Sequence, residues 1–217
     1  MSIRSNLAKV KTQISVACES VDRSPDKVVL IAVSKTRTIE EIEEAYDCGQ
    51  RHFGESRFQD AQQKIESLPL DIVWHFIGPL QSNKAKKVAS LFQVIHTLCT
   101  TSQLAELAKI ENTVDGLIEV NIADEPQKSG ISAKQLDEYR TNVLQCPQVH
   151  FRGLMTIGPV MSDAEHMRPY FREMQKQRTR FGAEWLSMGM SGDFEEAIQE
   201  GASHIRVGTA IFGSRQK

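Results

Sequence analysis

The stretch Val28 to Lys35, VVLIAVSK, decides the reading of the fold. Six consecutive apolar residues, four of them β-branched, run into a serine and then a lysine. Such a run suits a strand buried on both faces, as in a parallel sheet covered by helices. After Thr36-Arg37-Thr38, the segment Ile39-Glu40-Glu41-Ile42-Glu43-Glu44-Ala45 reads as a helix with acidic residues in its first turn. Lys35 therefore sits where a buried strand emerges into a βα loop, the position at which α/β folds place their chemistry. A strand-end lysine that snorkels to water is the alternative, and the rest of the chain decides between them.

Outward from this stretch the same alternation repeats. Leu7, Val10, Ile14, Ala17 and Val21 predict a helix over 3–21 ahead of the first strand. Seven further strands are predicted at 51–54, 72–77, 92–96, 116–122, 149–157, 184–188 and 204–207, separated by helices at 55–67, 83–91, 101–110, 132–145, 163–181 and 193–200. A last helical turn follows over 208–213. No linker or low-complexity tract divides the 217 residues, so a single domain is expected over 1–217, with the barrel over 28–213. Eight strands alternating with helices predict a (β/α)8 TIM-type barrel with an extra N-terminal helix. Periodicity alone leaves a doubly wound open sheet as the alternative.

Bulk properties narrow the function. With 26 basic and 28 acidic residues, the net charge of −2 gives no footprint for nucleic acid or anionic membrane. Lys84, Lys86 and Lys87 form the densest basic cluster and read as the solvated face of a helix. Cys18, Cys48, Cys99 and Cys146 are scattered and form no CxxC pair, which argues against a disulfide framework or a zinc site. The charged N-terminus lacks a signal-peptide core, and no apolar stretch reaches membrane-spanning length. A soluble cytoplasmic protein is expected.

In a barrel, polar groups at the C-terminal ends of the strands share one mouth. Here those ends carry Lys35, Glu55-Ser56, His75, Asn121, Met155-Thr156, Ser191, and Arg206 with Gly208-Thr209. The loops after strands seven and eight commonly hold a phosphate in such folds. Gly189 and Gly192 let amides approach an anion, the Ser191 hydroxyl can donate, and Gly208 and Thr209 open a short helix with free N–H groups. A phosphate site facing a lysine suggests a phosphorylated aldehyde held as a Schiff base. Pyridoxal 5′-phosphate carries both groups in one molecule. Arg206 would reach its pyridine nitrogen, where a permanent cation disfavours protonation and weakens the ring as an electron sink. His75 reads as a hydrogen-bonded strand-end histidine or a cofactor contact, and Met155, Met188 and Met190 as barrel or mouth packing. Glu55 and Glu119 are a possible carboxylate pair, although Glu119, within its strand, suits a buried pair with Lys or Arg.

The segments AVSKT (32–36), FGES (53–56), WHFIGPLQSNK (74–84), KSG (128–130), RGLMTI (152–157), LSMGMSGD (186–193) and RVGTAIFG (206–213) resemble the pyridoxal phosphate homeostasis protein family. The resemblance runs from about Val28 to Gly213. It implies a barrel similar to the N-terminal domain of alanine racemase, with Lys35 as Schiff-base anchor. Ser191, Gly208 and Thr209 would cradle the phosphate, and Arg206 would face the ring nitrogen. With Ser56, His75 and Met190 these residues complete the candidate cofactor-binding set. Two departures stand out: Ser56 replaces a usual asparagine, and Gly192 a usual acidic residue. The implied function is non-catalytic storage or delivery of pyridoxal phosphate by a monomer, with cofactor-dependent apo-enzymes as partners. A racemase or decarboxylase would need a second, mostly β domain, for which the chain after the last helix turn leaves no room. A cofactor-free Schiff-base aldolase would need a placed proton shuttle that the spacing does not reveal.

Overall fold

The computed structural model describes residues 2–159 and 163–214. Eight parallel strands close into a barrel in sequence order. They are β1 (Val29–Val33), β2 (His52–Glu55), β3 (Val73–Phe76), β4 (Val94–Leu98), β5 (Val114–Glu119), β6 (Val149–Met155), β7 (Trp185–Met190) and β8 (His204–Val207). Closure rests on the β1–β8 pairing, with Val29 opposite His204 and Ala32 opposite Val207. That seam excludes the open doubly wound sheet.

The N-terminal helix α1 (Ile3–Glu19) is capped by Ser2, whose hydroxyl accepts the Ser5 N–H. Its buried face carries Leu7, Val10 and Ile14. It packs on α8 (Phe194–Gln199) and α9 (Thr209–Phe212), the two helices that follow β7 and β8. Asn6 Nδ2 donates to the Ile211 carbonyl at 2.8 Å, and Gln13 Nε2 donates to Glu195 at 2.7 Å. The extra helix thus braces the two loops from which a phosphate site was expected. The helix after β1, α2 (Ile39–Asp47), starts with a capping box in which Thr38 and Glu41 satisfy each other's backbone N–H groups. Such a box is worth about 1 kcal/mol and fixes where the Lys35 loop must end.

The remaining helices are α3 (Phe58–Ser67), α4 (Ala85–Leu91), α5 (Thr101–Leu107), α6 (Leu136–Leu144) and α7 (Arg168–Arg180). Among the boundaries that differ from the sequence expectation, three have a clear local cause. Glu55 belongs to β2, and α3 begins only at Phe58. Phe92 ends α4 by donating its N–H to Val88, so β4 starts at Val94. The long helix expected from 163 opens as a 3-10 turn over Ala164–Met167, and α7 starts beside Pro169, which fits a first helical turn. The loop expected after Gly158-Pro159 enters residues 160–162, outside the described residues.

Apolar residues between barrel and helices form one continuous core. Inside the barrel a separate small cluster of Val94, Leu117 and Met155 packs with Val73 and Trp185. Strand side chains alternate between faces, so His75, His96, Glu119 and Ser187, two residues along from cluster members, share this inner face. The four buried polar residues are each less than 5% exposed. Small barrels usually fill this space with branched aliphatics; here it is substantially polar.

Candidate functional site at the barrel mouth

Lys35 lies in a tight turn immediately after β1. The Arg37 N–H donates to the Ser34 carbonyl at 3.0 Å, and Thr36 takes a left-handed φ of 68°. A β-branched residue in that region is strained by roughly 1–2 kcal/mol, a feature that clusters at functional loops. The Lys35 side chain is exposed at the mouth, and burial of its amine by protein groups is not seen.

Two contacts hold this turn in place, and neither is visible as a motif. Below it, the Lys64 ammonium from α3 donates to the Ser34 carbonyl at 3.0 Å and to Glu55 Oε1 at 2.7 Å. The Ser34 hydroxyl donates to the same carboxylate oxygen at 2.8 Å. The Lys64–Glu55 pair is buried, so removing one partner leaves an uncompensated charge. Glu55, not Glu119, is therefore the carboxylate in a buried ion pair. Beside the turn, Arg37 donates to the Gly213 carbonyl at the end of α9, while also pairing with Glu41 at 3.3 Å. Arg37 ties the Lys35 turn to the loop after β8.

On that side, the Ser191 hydroxyl oxygen accepts the Gly208 N–H at 3.2 Å and the Ala210 N–H at 3.3 Å. The converging amides are those of Gly208 and Ala210; Thr209 is exposed between them. Two amides and a hydroxyl held at one point make a small anion nest. Gly189 needs its glycine twice over: its φ is +88°, and a Cβ would come within 2.6 Å of Ala197 Cβ. Gly192 is different, because a Cβ there meets nothing within 4 Å. Asp193 turns back to accept the Met190 N–H at 2.6 Å, and burial pushes its carboxyl above the usual range.

Arg206 is fully enclosed beneath this loop. Its guanidinium donates to Ser187 Oγ at 2.6 Å and to the Thr156 carbonyl at 2.8 Å. Two of its five N–H groups are thereby used, which leaves donors for a ligand above. Burial lowers it to about 10, with Asp193 and Glu119 opposing. Glu119 Oε1 accepts the Ser129 hydroxyl at 2.7 Å, whereas Oε2 is buried without a partner. Burial raises this carboxyl. A sealed carboxylate oxygen within reach of the Arg206 field is the kind of orphan that a ligand's donor would satisfy.

His75 does not reach the mouth. It lies one layer down, with Nε2 3.0 Å from His52 Nδ1 and Nδ1 2.9 Å from His96 Nε2. His96 Nδ1 in turn sits 3.0 Å from Ser187 Oγ. Three imidazoles and one hydroxyl thus form a chain ending on Arg206. Burial keeps His75 and His96 well below the usual histidine range, so both are neutral. His75, a candidate cofactor residue in the sequence, is thus linked to Arg206 through His96 and Ser187. Ser56 is half-buried after β2 and lines a cleft of about 370 Å³ with Phe76 and Gln81. Met190 ends β7 opposite Arg206 in register and is 40% exposed.

Comparison with known proteins identifies this arrangement. Residues 5–216 match the alanine racemase N-terminal domain family model. The chain is 40% identical over its whole length to the pyridoxal phosphate homeostasis protein of Aquifex aeolicus, covering all of that protein. It is 41% identical to the Escherichia coli K12 protein of the same name, covering 98% of this chain and 97% of the relative. The chain belongs to the pyridoxal phosphate homeostasis protein family. A solved structure of a relative, PipY of Synechococcus elongatus with pyridoxal phosphate bound, superposes with a TM-score of 0.81 at 34% identity. The match covers 98% of this chain and all of PipY. Family membership agrees with the resemblance read from the motifs and with the barrel derived from strand alternation.

Among the described residues no helix is long and apolar enough to cross a membrane, and no group of side chains is arranged to hold a metal ion. All four cysteines are free.

Proposed function

We propose that this chain is a single cofactor-binding barrel that stores or delivers pyridoxal 5′-phosphate without turning over a substrate. The observation that carries the reading is the joining of two mouth loops. Arg37 bonds the Lys35 turn to the end of α9, whose first amides converge on Ser191. An amine and an anion nest are thereby held on one side of the mouth. When bound, the cofactor supplies an aldehyde for the lysine and an electron-withdrawing ring. Lys35 is the covalent anchor. Ser191, with the Gly208 and Ala210 amides and the neighbouring Thr209, receives the phosphate, while Ser56 and Met190 border the ring. Arg206 holds its charge toward the ring nitrogen and keeps a proton off it. Lys35 is the one base assigned a place beside the cofactor, whereas a racemase needs one on each face of the substrate α-carbon. The names of the curated relatives and the ligand of PipY support the same reading. Its partners would be cytoplasmic apo-enzymes that take up the cofactor, served by a monomer.

Borohydride reduction of the loaded protein, followed by peptide mapping, tests the anchor. The adduct is expected on Lys35 and is lost in Lys35→Ala with the fold retained. An adduct mapping to Lys84 or Lys128 would overturn the assignment.

A further inference from the structure

A cavity of about 630 Å³ opens at the opposite, N-terminal end of the barrel, beside the first residues of β1, β7 and β8. Its size is that of a small-molecule site. Arg23, Lys27, Arg178 and His204 bring polar groups to it, and Trp185 and Ile198 bring apolar surface.

The two arginines are unlike most others in the chain. Arg37, Arg51, Arg152 and Arg168 each pair with a carboxylate. Among the described residues, Arg23 and Arg178 have no carboxylate at salt-bridge distance. Arg23 instead donates to the carbonyls of Ile198 and Lys27, at 3.2 and 3.0 Å. Arg178 donates to those of Ala183, Gly201 and Glu184, at 3.2, 3.2 and 2.8 Å. Carbonyls fix the two planes and leave N–H groups on both, but they do not cancel the charges. Each guanidinium is lowered mainly by burial; the Arg178 charge adds to this at Arg23, whereas the Glu184 charge partly offsets it at Arg178. Two carboxylates, Asp26 and Glu184, also border the cavity; Glu184 pairs with Arg152 at 3.2 Å, and among the described residues neither is at salt-bridge distance from Arg23 or Arg178.

His204 supplies a second, independent sign. It is 4% exposed, yet it lines the cavity. Its Nδ1 lies 2.9 Å from Ser203 Oγ, and Nε2 has no partner among the described residues. When the serine hydroxyl donates to Nδ1, the proton on Nε2 is free to donate to a ligand. The imidazole packs against Trp185 with ring centroids 4.6 Å apart and planes tilted by 42°, so donor and aromatic wall are adjacent.

We propose that this cavity is a second ligand site, selective for an organic phosphate monoester. The dianionic head would lie between Arg23 and Arg178, with the His204 N–H as a further donor. The apolar or aromatic body would lie against Trp185 and Ile198. Two arginines without a salt-bridge partner among the described residues, with Lys27 at the rim, match a dianion better than a single carboxylate. The site is remote from Lys35 and stands whether or not the cofactor reading holds.

Phenyl phosphate is the probe, added to protein already loaded with pyridoxal phosphate so that the mouth is occupied. Calorimetry is expected to show saturable binding, weaker for inorganic phosphate and absent for phenol. In the unaltered protein the indole N–H resonance of Trp185 should shift while that of buried Trp74 stays still. Arg23→Gln and Arg178→Gln should each weaken binding by about tenfold or more. Absence of a saturable Trp185 shift by about 10 mM phenyl phosphate would overturn the proposal. So would equal affinity for inorganic phosphate, or unchanged binding in both variants. Should Arg178→Gln loosen the loops it knits, the indole measurement on the unaltered protein still decides.

Discussion

The two ends of this barrel solve the same electrostatic problem in different ways. At the mouth, the cations that hold the Lys35 turn each have a carboxylate partner: Lys64 pairs with Glu55 beneath the turn, and Arg37, bonded to the Gly213 carbonyl at the end of α9, pairs with Glu41. At the opposite end, Arg23 and Arg178 are tied to carbonyls and have no salt-bridge partner among the described residues. Between the ends runs the imidazole chain that carries no net charge and terminates on Arg206. A compensated cation serves position, whereas an uncompensated one is available to a ligand. By this criterion Arg206, held by a hydroxyl and a carbonyl, belongs with the ligand-facing group, and Lys64 does not.

The largest effect expected from breaking this contrast is at Lys64. Lys64→Met should destabilise the fold by about 3–5 kcal/mol, because the Glu55 charge stays buried alone. Chemical denaturation measures it, and Glu55→Gln in the same background should recover part of the loss. A cost near zero would show that the pair does not support the Lys35 turn.

Next comes Ser191→Ala, which on the proposed reading removes one charge-assisted bond to phosphate, worth about 1.5–3 kcal/mol. Affinity for pyridoxal phosphate should fall at least about tenfold, and affinity for dephosphorylated pyridoxal should hardly change. Equal losses for both ligands in an absorbance titration would make Ser191 a packing residue.

The neutral histidine chain predicts a pH dependence. His52, His75 and His96 in the chain, and His204 outside it, are all depressed by burial, the last to about 3. Below about pH 6.5 the unfolded chain therefore binds more protons than the folded one, and stability falls on acidification. Each histidine adds up to about 1.4 kcal/mol per pH unit, and the His204 share is exhausted only near pH 3. Glu119 and Asp193, raised by burial, act in the opposite sense nearer pH 4. Urea midpoints between pH 7 and 5 test this; a flat profile would mean that the histidines are not kept neutral.

The smallest effect is expected at Gly192. Its backbone needs no glycine and a Cβ meets nothing, so Gly192→Ala should change stability by less than about 0.5 kcal/mol. Gly189→Ala, at a positive φ and against Ala197, should cost clearly more.

What was legible in the sequence follows the same division. The VVLIAVSK run gave away β1 and Lys35 because apolar continuity and a terminal polar residue are local signals. The glycine-rich loops at 189–193 and 208–213 were legible for the same reason. Closure was not, because it depends on Val29 meeting His204 across most of the chain. His75 was placed at the mouth because it stands near the end of its strand. Its bonds to His52 and His96 depend on neighbouring strands that only folding brings beside it. Arg37 and Lys64 carried no motif, since their partners Gly213 and Ser34 are brought near by folding. The cavity around Arg23 and Arg178 is equally silent: its residues come from the segment after α1, from α7 and α8 with the loops that follow them, and from the first residues of β1, β7 and β8.

The central claim is that the Lys35 turn and the Ser191–α9 nest form one cofactor site. Parallel absorbance titrations of the wild-type protein with pyridoxal phosphate and with pyridoxal test it most directly. Both aldehydes can react with Lys35, so chemistry at the lysine does not separate them. Loss of two or three charge-assisted bonds at the nest predicts at least about 100-fold weaker binding of pyridoxal. Equal affinities would contradict the account, because the loops after β7 and β8 would then be turns alone.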